Sequence, residues 1–175
     1  KMPMRFEKNM GQAGERANFL YRDNRFSIQL TAGKMNMMFN EYDSKENVKK
    51  NQQMANQASI EFVDSDSRVK GTGLDKLITT TNFLIGNDPK GWFSNIPNYE
   101  KVRFAKIYPG IDLVYYGQDG QLEFDFEVSP GSDPNAIALQ FDKDTSVKLD
   151  KSGSIVFEIG SDSISMLAPQ AYQNY

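Results

Sequence analysis

Residues 102–128 read VRFAKIYPGIDLVYYGQDGQLEFDFEV, and the alternation within them decides the fold. Leu122, Phe124, Phe126 and Val128 alternate with Glu123, Asp125 and Glu127, the period-two pattern of a strand with one buried face. Asp119-Gly120 precedes this strand, a pair suited to the positive φ angles of a tight hairpin turn. Pro109-Gly110 separates the apolar run 102–108 from 111–116, so the stretch reads as a three-strand antiparallel meander. Tyr115 and Tyr116 are neighbours on the middle strand and must point to opposite sides of it.

Short strands of the same kind extend in both directions. Upstream, 4–9, 17–22, 25–31 and 34–40 are separated by glycine or Asp-Asn turns, with Met35, Met37 and Phe39 sharing one face. Methionine fills irregular core gaps, and a copper role for it is disfavoured in a chain without His or Cys. Residues 58–64 alternate again, and 82–85 reads as a short strand before Gly86-Asn87-Asp88-Pro89. The fragment GTGLDK at 71–76 lacks the GK[ST] ending of a phosphate loop and reads as glycine-punctuated connection. Downstream, 136–141, 146–149, 154–159 and 163–168 are joined by hairpin chemistry. Turns every 8–12 residues with almost no helical period predict one all-β domain over 1–175, an antiparallel β-sandwich. Residues 41–57, EYDSKENVKKNQQMANQ, lack periodicity and predict a long polar surface loop.

Composition removes whole classes of chemistry. The chain has no cysteine and no histidine, which excludes disulfides, thiol catalysis and Cys-based zinc sites and removes the commonest general base. Twenty basic and 23 acidic residues, well mixed, offer no basic stripe for nucleic acid. No apolar run approaches the ~20 residues of a membrane span, so no membrane insertion is expected. The missing signal peptide is not evidence against export, because the ends read as those of a processed piece.

Several ordered blocks carry a resemblance. RFEKNMGQ, NFLIGNDPKGW, IYPGIDLVYYG, LEFDFEVSPGSDP and APQAYQ occur in the order found in a bacterial domain of unknown function. That domain lies N-terminal to SBBP-type β-propeller repeats in large exported proteins. The chain resembles it over most of its length, with Phe83 and Phe124 standing where the family often has Tyr. The resemblance implies an extracellular or cell-surface setting, beside β-propeller or other β domains of the same polypeptide. It carries no catalytic residues.

The residues themselves leave three candidate chemistries. Asp112, Glu123, Asp125 and Glu127 offer paired carboxylates for hydrolysis, but three of them fall on the outward face of one strand, where charge discourages edge association. Asn87 and Asp88 with Asp112, Asp119 or Asp133 offer oxygen ligands for calcium, yet these are also turn formers without a twelve-residue loop pattern, so no cofactor is expected. Asn87, Asp88, Trp92 and Tyr99 form the candidate ligand-binding set, an aromatic platform flanked by polar side chains. The function expected is a non-catalytic module in surface architecture, adhesion or assembly, with self-association or surface glycans as further partners. A carbohydrate-binding module using Trp92 is the alternative, and a carboxylate-based hydrolase the weaker one.

Overall fold

The computed structural model describes residues 4–14, 17–23, 26–39, 57–143, 145–159 and 162–173. Strands β1 (Phe6–Lys8), β2 (Phe19–Arg22), β3 (Phe26–Leu30), β4 (Lys34–Phe39) and β5 (Gln57–Phe62) are successive antiparallel neighbours. After β6 (Thr72–Phe83) come β7 (Phe93–Tyr108), β8 (Ile111–Gln118) and β9 (Gln121–Val128), and β10 (Leu139–Phe141) returns to pair with β5. The order across the sheet is β10-β5-β4-β3-β2-β1-β7-β8-β9, and β6 branches from β7. One edge of β7 pairs first with β1 and then with β8, while the other carries β6.

The local chemistry of the meander is as the sequence predicts. Asp119 (φ 51°) and Gly120 (φ 79°) form the two-residue turn between Gln118 and Gln121. Pro109 and Gly110 (φ 70°) join Tyr108 to Ile111 in the same manner. Tyr115 is fully buried and Tyr116 only partly so. Met35 and Met37 are in the core.

Long-range packing bends the sheet. Phe62 of β5 meets Phe124 and Phe126 of β9 edge to face, at 6.3 and 5.9 Å between ring centres. These strands lie near opposite ends of the strand order, so the sheet is curled until its flanks face each other, as an antiparallel, sandwich-like half-barrel. Phe6, Leu30, Ile60, Phe104, Leu113 and Tyr115 fill its interior. A second antiparallel sheet of β11 (Ser146–Leu149), β12 (Ile155–Ile159) and β13 (Asp162–Met166) docks through buried Phe157, 5.3 Å from Phe141 of β10.

Two findings correct the sequence reading. β6 covers 12 residues and β7 covers 16, where the alternation suggested a short strand at 82–85 and another beginning at 102. Lys76 pairs with Tyr99 and Thr80 with Pro97, so Leu77, Ile78 and Thr79 stand opposite Asn98 alone and bulge outward. Nearer the tip the extra residue is on β7, where Asn95 takes φ 56° and donates its N–H to Asn82 Oδ1 at 2.9 Å. The three-against-one bulge interrupts the alternation on β6 and the single extra residue on β7 shifts its parity, so the period-two signal is lost. Gly73, read as loop punctuation, is a strand residue lying under the Tyr99 ring, where a Cβ would collide with the ring carbons. Residues 40–56, which hold nearly all of the expected 41–57 loop, lie outside the described residues, and Gln57 already belongs to β5.

Candidate functional site

From Phe93 to Pro97, β7 has β6 as its strand partner and no other among the described residues, so the hairpin runs on as a two-stranded ribbon. One face of the ribbon leans on the body. Phe83 lies opposite Phe93, the Arg22 guanidinium sits 4.6 Å above the Phe83 ring, and Phe93 rests against Gly11. Ile96 and Asn98 below are buried, and Thr81 Oγ1 donates to Asn98 Oδ1 at 3.1 Å. The remainder of the ribbon is exposed. Ile78, at the apex of the bulge, is fully exposed, and Leu84, Ile85 and Trp92 are exposed beyond it. Exposed apolar residues grouped on one projecting element mark an interaction surface more readily than scattered ones do.

The ribbon tip is tied by its own hydrogen bonds. The Asp88 carboxylate accepts from the Lys90 N–H at 3.0 Å and caps a short 3-10 turn, Pro89–Gly91. Trp92 Nε1 donates to the Gly86 carbonyl at 3.1 Å, which closes the turn on itself and leaves the residue 42% exposed. Asn87, Asp88 and Trp92 are therefore brought together on one turn, with Asn87 exposed beside them. Tyr99 is not part of that group. It lies six positions beyond Phe93, about 20 Å along the strand, where its ring meets Phe19 edge-on at 5.8 Å and covers Gly73.

The acidic residues of the meander are engaged separately. Asp112 accepts from Arg103 Nε at 2.8 Å and from Arg103 Nη2, and its second oxygen accepts the Lys106 N–H at 2.6 Å. Lys106 sits in a β7 bulge with φ 57°, so Asp112 holds that bulge in place. Burial alone would raise the Asp112 carboxyl, but the Arg103 and Lys106 bonds and charges outweigh it and hold the group below the usual range. Glu127, opposite Asp112, lies 3.8 Å from the same Arg103.

Asp125 departs from the expectation of a merely solvated outward acid. Its Oδ2 accepts from the Tyr116 hydroxyl at 3.1 Å and the Tyr172 hydroxyl at 2.8 Å, pinning the C-terminal segment to the outer face of β8 and β9. Burial and then the Asp125 bond push the Tyr116 phenol up, and the same carboxylate raises Tyr172. No local pattern announces this contact, because the two partners are 47 positions apart. The remaining oxygen donors are dispersed as well: Asp133 accepts from the Asn135 N–H at 2.9 Å and caps its own turn. Among the described residues no three His, Cys, Asp or Glu side chains gather as a metal site.

An open concavity of about 510 Å³ is lined by Asp64, Asp66, Arg68, Lys106 and Tyr108. Arg68 clamps Asp66 through two bonds of 2.9 Å, and those bonds hold the carboxyl down at about 2. Both groups thus satisfy one another, at a mouth that is wide and exposed.

A curled all-β domain bearing a ribbon with exposed apolar residues is the class that this geometry defines. The family model described as a domain of unknown function, DUF7948, matches residues 6–175, and the chain belongs to that family. Neither the curated proteins nor the solved structures yield a match to the chain.

Proposed function

We propose that this domain is a non-catalytic module of an exported bacterial protein, acting in surface architecture, adhesion or assembly beside SBBP-type β-propeller repeats or other β domains of the same polypeptide. The observation that supports this reading is the outer β6–β7 ribbon, which sets Ile78, Leu84, Ile85 and Trp92 outside the core. Exposed apolar residues gathered on one projecting element favour contact with another macromolecule more than the exposed Met10, Val128, Leu149 and Leu167 spread over the rest of the domain do. The test is made in the parent protein, with Ile78 and Leu84 both replaced by lysine and cell-surface assembly followed by surface labelling. Assembly is expected to fall while the circular dichroism of the isolated domain is unchanged. Unaltered assembly, or turnover of a glycan or peptide by the purified domain, would overturn the reading.

Trp92 favours a second reading, a carbohydrate-binding module. Its Nε1–H is already held by Gly86, so the indole is fixed and half-presented beside Asn87 and Asp88, as a sugar platform requires. A glycan array with the wild-type domain and Trp92→Ala tests it. Binding that vanishes in the variant supports this reading, and binding that survives in it removes the role of Trp92.

A further inference from the structure

We infer that the outer ribbon is a hinged arm governed by Glu7: it seats on β1 and β2 while that carboxyl is protonated, and shifts toward a lifted state as the carboxyl ionises. The inference rests on the reading of the ribbon as the contact element and names what controls its presentation. The seat is a small cluster apart from the main core. Leu20, opposite Glu7, and Ile96, two positions before Asn98, are buried without joining that core. Phe93 against Gly11 and the Phe83 ring against the Arg22 guanidinium complete the contact between ribbon and body.

The middle of this seat is polar and poorly satisfied. Glu7 and Asn98 face each other across β1 and β7 and are 4% and 1% exposed. Asn98 Oδ1 takes a bond from Thr81, but Asn98 Nδ2 and Glu7 Oε2 have no hydrogen-bond partner among the described residues. Arg22 Nε, 3.6 Å from Oε2, attracts the carboxylate without reaching hydrogen-bond distance, and its guanidinium is shared with Phe83. Arg5, just before β1, is the other charge that acts on Glu7. The neighbouring stretches 9–14, 77–83 and 93–99 contain no charged residue. Burial therefore outweighs the two arginines and raises the carboxyl, and an ionised Glu7 is held in the seat at a cost. Lifting the ribbon gives the carboxylate water, so ionisation and lifting favour each other. The chain has a place to bend at this level. Leu77, Ile78 and Thr79 bulge opposite Asn98, the partner of Glu7, and Pro97 beside it has no N–H for the ladder.

A single tryptophan and the absence of cysteine make the movement measurable. Met10 is exposed and adjoins Gly11, on which Phe93 rests, so a nitroxide on Met10→Cys lies close to Trp92 only while the ribbon is seated. Trp92 emission of this chain is compared with that of the same cysteine carrying a diamagnetic analogue, between about pH 4 and pH 8. Quenching is expected to be strongest in acid and to be lost as pH rises, with a midpoint above the ordinary glutamate value of 4.5. Glu7→Gln should keep the acid level of quenching throughout. Arg5→Gln, at an exposed residue, removes a countercharge and should move the midpoint to higher pH, which keeps the test open should Glu7→Gln not fold. Quenching that is invariant with pH, falls equally in Glu7→Gln, or strengthens as pH rises overturns the inference. The measurement involves no partner, so it is independent of what the ribbon contacts. If the arm responds to pH while assembly of the parent protein ignores Ile78 and Leu84, the inference stands and the contact reading fails.

Discussion

The body of the curled sheet and its outer ribbon are built from the same antiparallel hairpins, yet they use their apolar residues in opposite ways. In the body, alternate residues of β1 to β5, β7 and β8 meet across the curl, and Phe6, Phe62, Phe104 and Tyr115 are all but sealed from water. In the ribbon, the alternation is broken by two bulges and Ile78, Leu84, Ile85 and Trp92 are left uncovered. Burial rewards the first arrangement directly, whereas the second gains its apolar contacts only when something covers it. Stability is thus concentrated in one region and the capacity for contact in the other.

The largest effect that can break this comparison comes from Phe62. It joins the two flanks of the curl through Phe124 and Phe126, and Phe62→Ala is expected to cost about 3–5 kcal/mol in urea denaturation. A loss under about 1 kcal/mol would mean the flanks are not held by packing. Next in size is Gly73→Ala. The added methyl has to displace Tyr99, whose ring is fixed against Phe19, and a cost of about 1–3 kcal/mol is expected in the same assay. A neutral result would show that Tyr99 has room to swing away.

These two sites also show what was legible in the sequence. Turn chemistry and strict alternation are local, so the meander, the four N-terminal strands and the strands β11 to β13 were read directly from their residues, though not that the last three form a separate sheet. The contact of Phe62 with β9 joins strands far apart in the chain, and no periodicity encodes which strand ends face each other. β6 was hidden for a different reason. Gly71 and Gly73 carry no side chain because Phe104 and Tyr99 occupy that space, and Asn95 adopts positive φ at a bulge that shifts parity. Of the candidate site, Asn87, Asp88 and Trp92 lie together because they are sequence neighbours. Tyr99 was included on residue type alone and proved to be packed against Phe19. The Asp125–Tyr172 contact was missed because only the folded chain brings its tail there.

A subtler effect, of opposite sign, sits where ribbon and body meet. Glu7 of β1 is 4% exposed, its Oε2 is 3.6 Å from Arg22 Nε, and it lies opposite buried Asn98. Burial pushes its carboxyl up, and the charges of Arg22 and Arg5 offset this only in part. A carboxyl raised in the folded state binds its proton more tightly there than in the unfolded chain. Its contribution to stability is therefore complete below the ordinary glutamate value of 4.5 and is lost as pH rises through the folded value. Glu7→Gln, which cannot ionise, should raise the melting temperature at neutral pH and leave it unchanged in acid. A destabilised variant at neutral pH would mean that the Arg22 pair outweighs the cost of burial.

The smallest effect belongs to Trp92, and it sharpens the comparison because the side chain is at least as large as that of Phe62. Trp92 closes the ribbon tip through Gly86, but the residue is 42% exposed and those flanking it, Gly91 and Phe93, are not fully buried either. Removing it loosens a turn whose opening is not coupled to that of the curled core. Trp92→Ala should accordingly change global stability by less than about 1 kcal/mol, while amide exchange accelerates between Leu84 and Phe93 and stays unaltered in β8. If the variant instead loosens β8 as well, ribbon and body unfold together. The exposed apolar residues would then be part of the folding unit, and the division between a stabilising body and a contacting ribbon would fail.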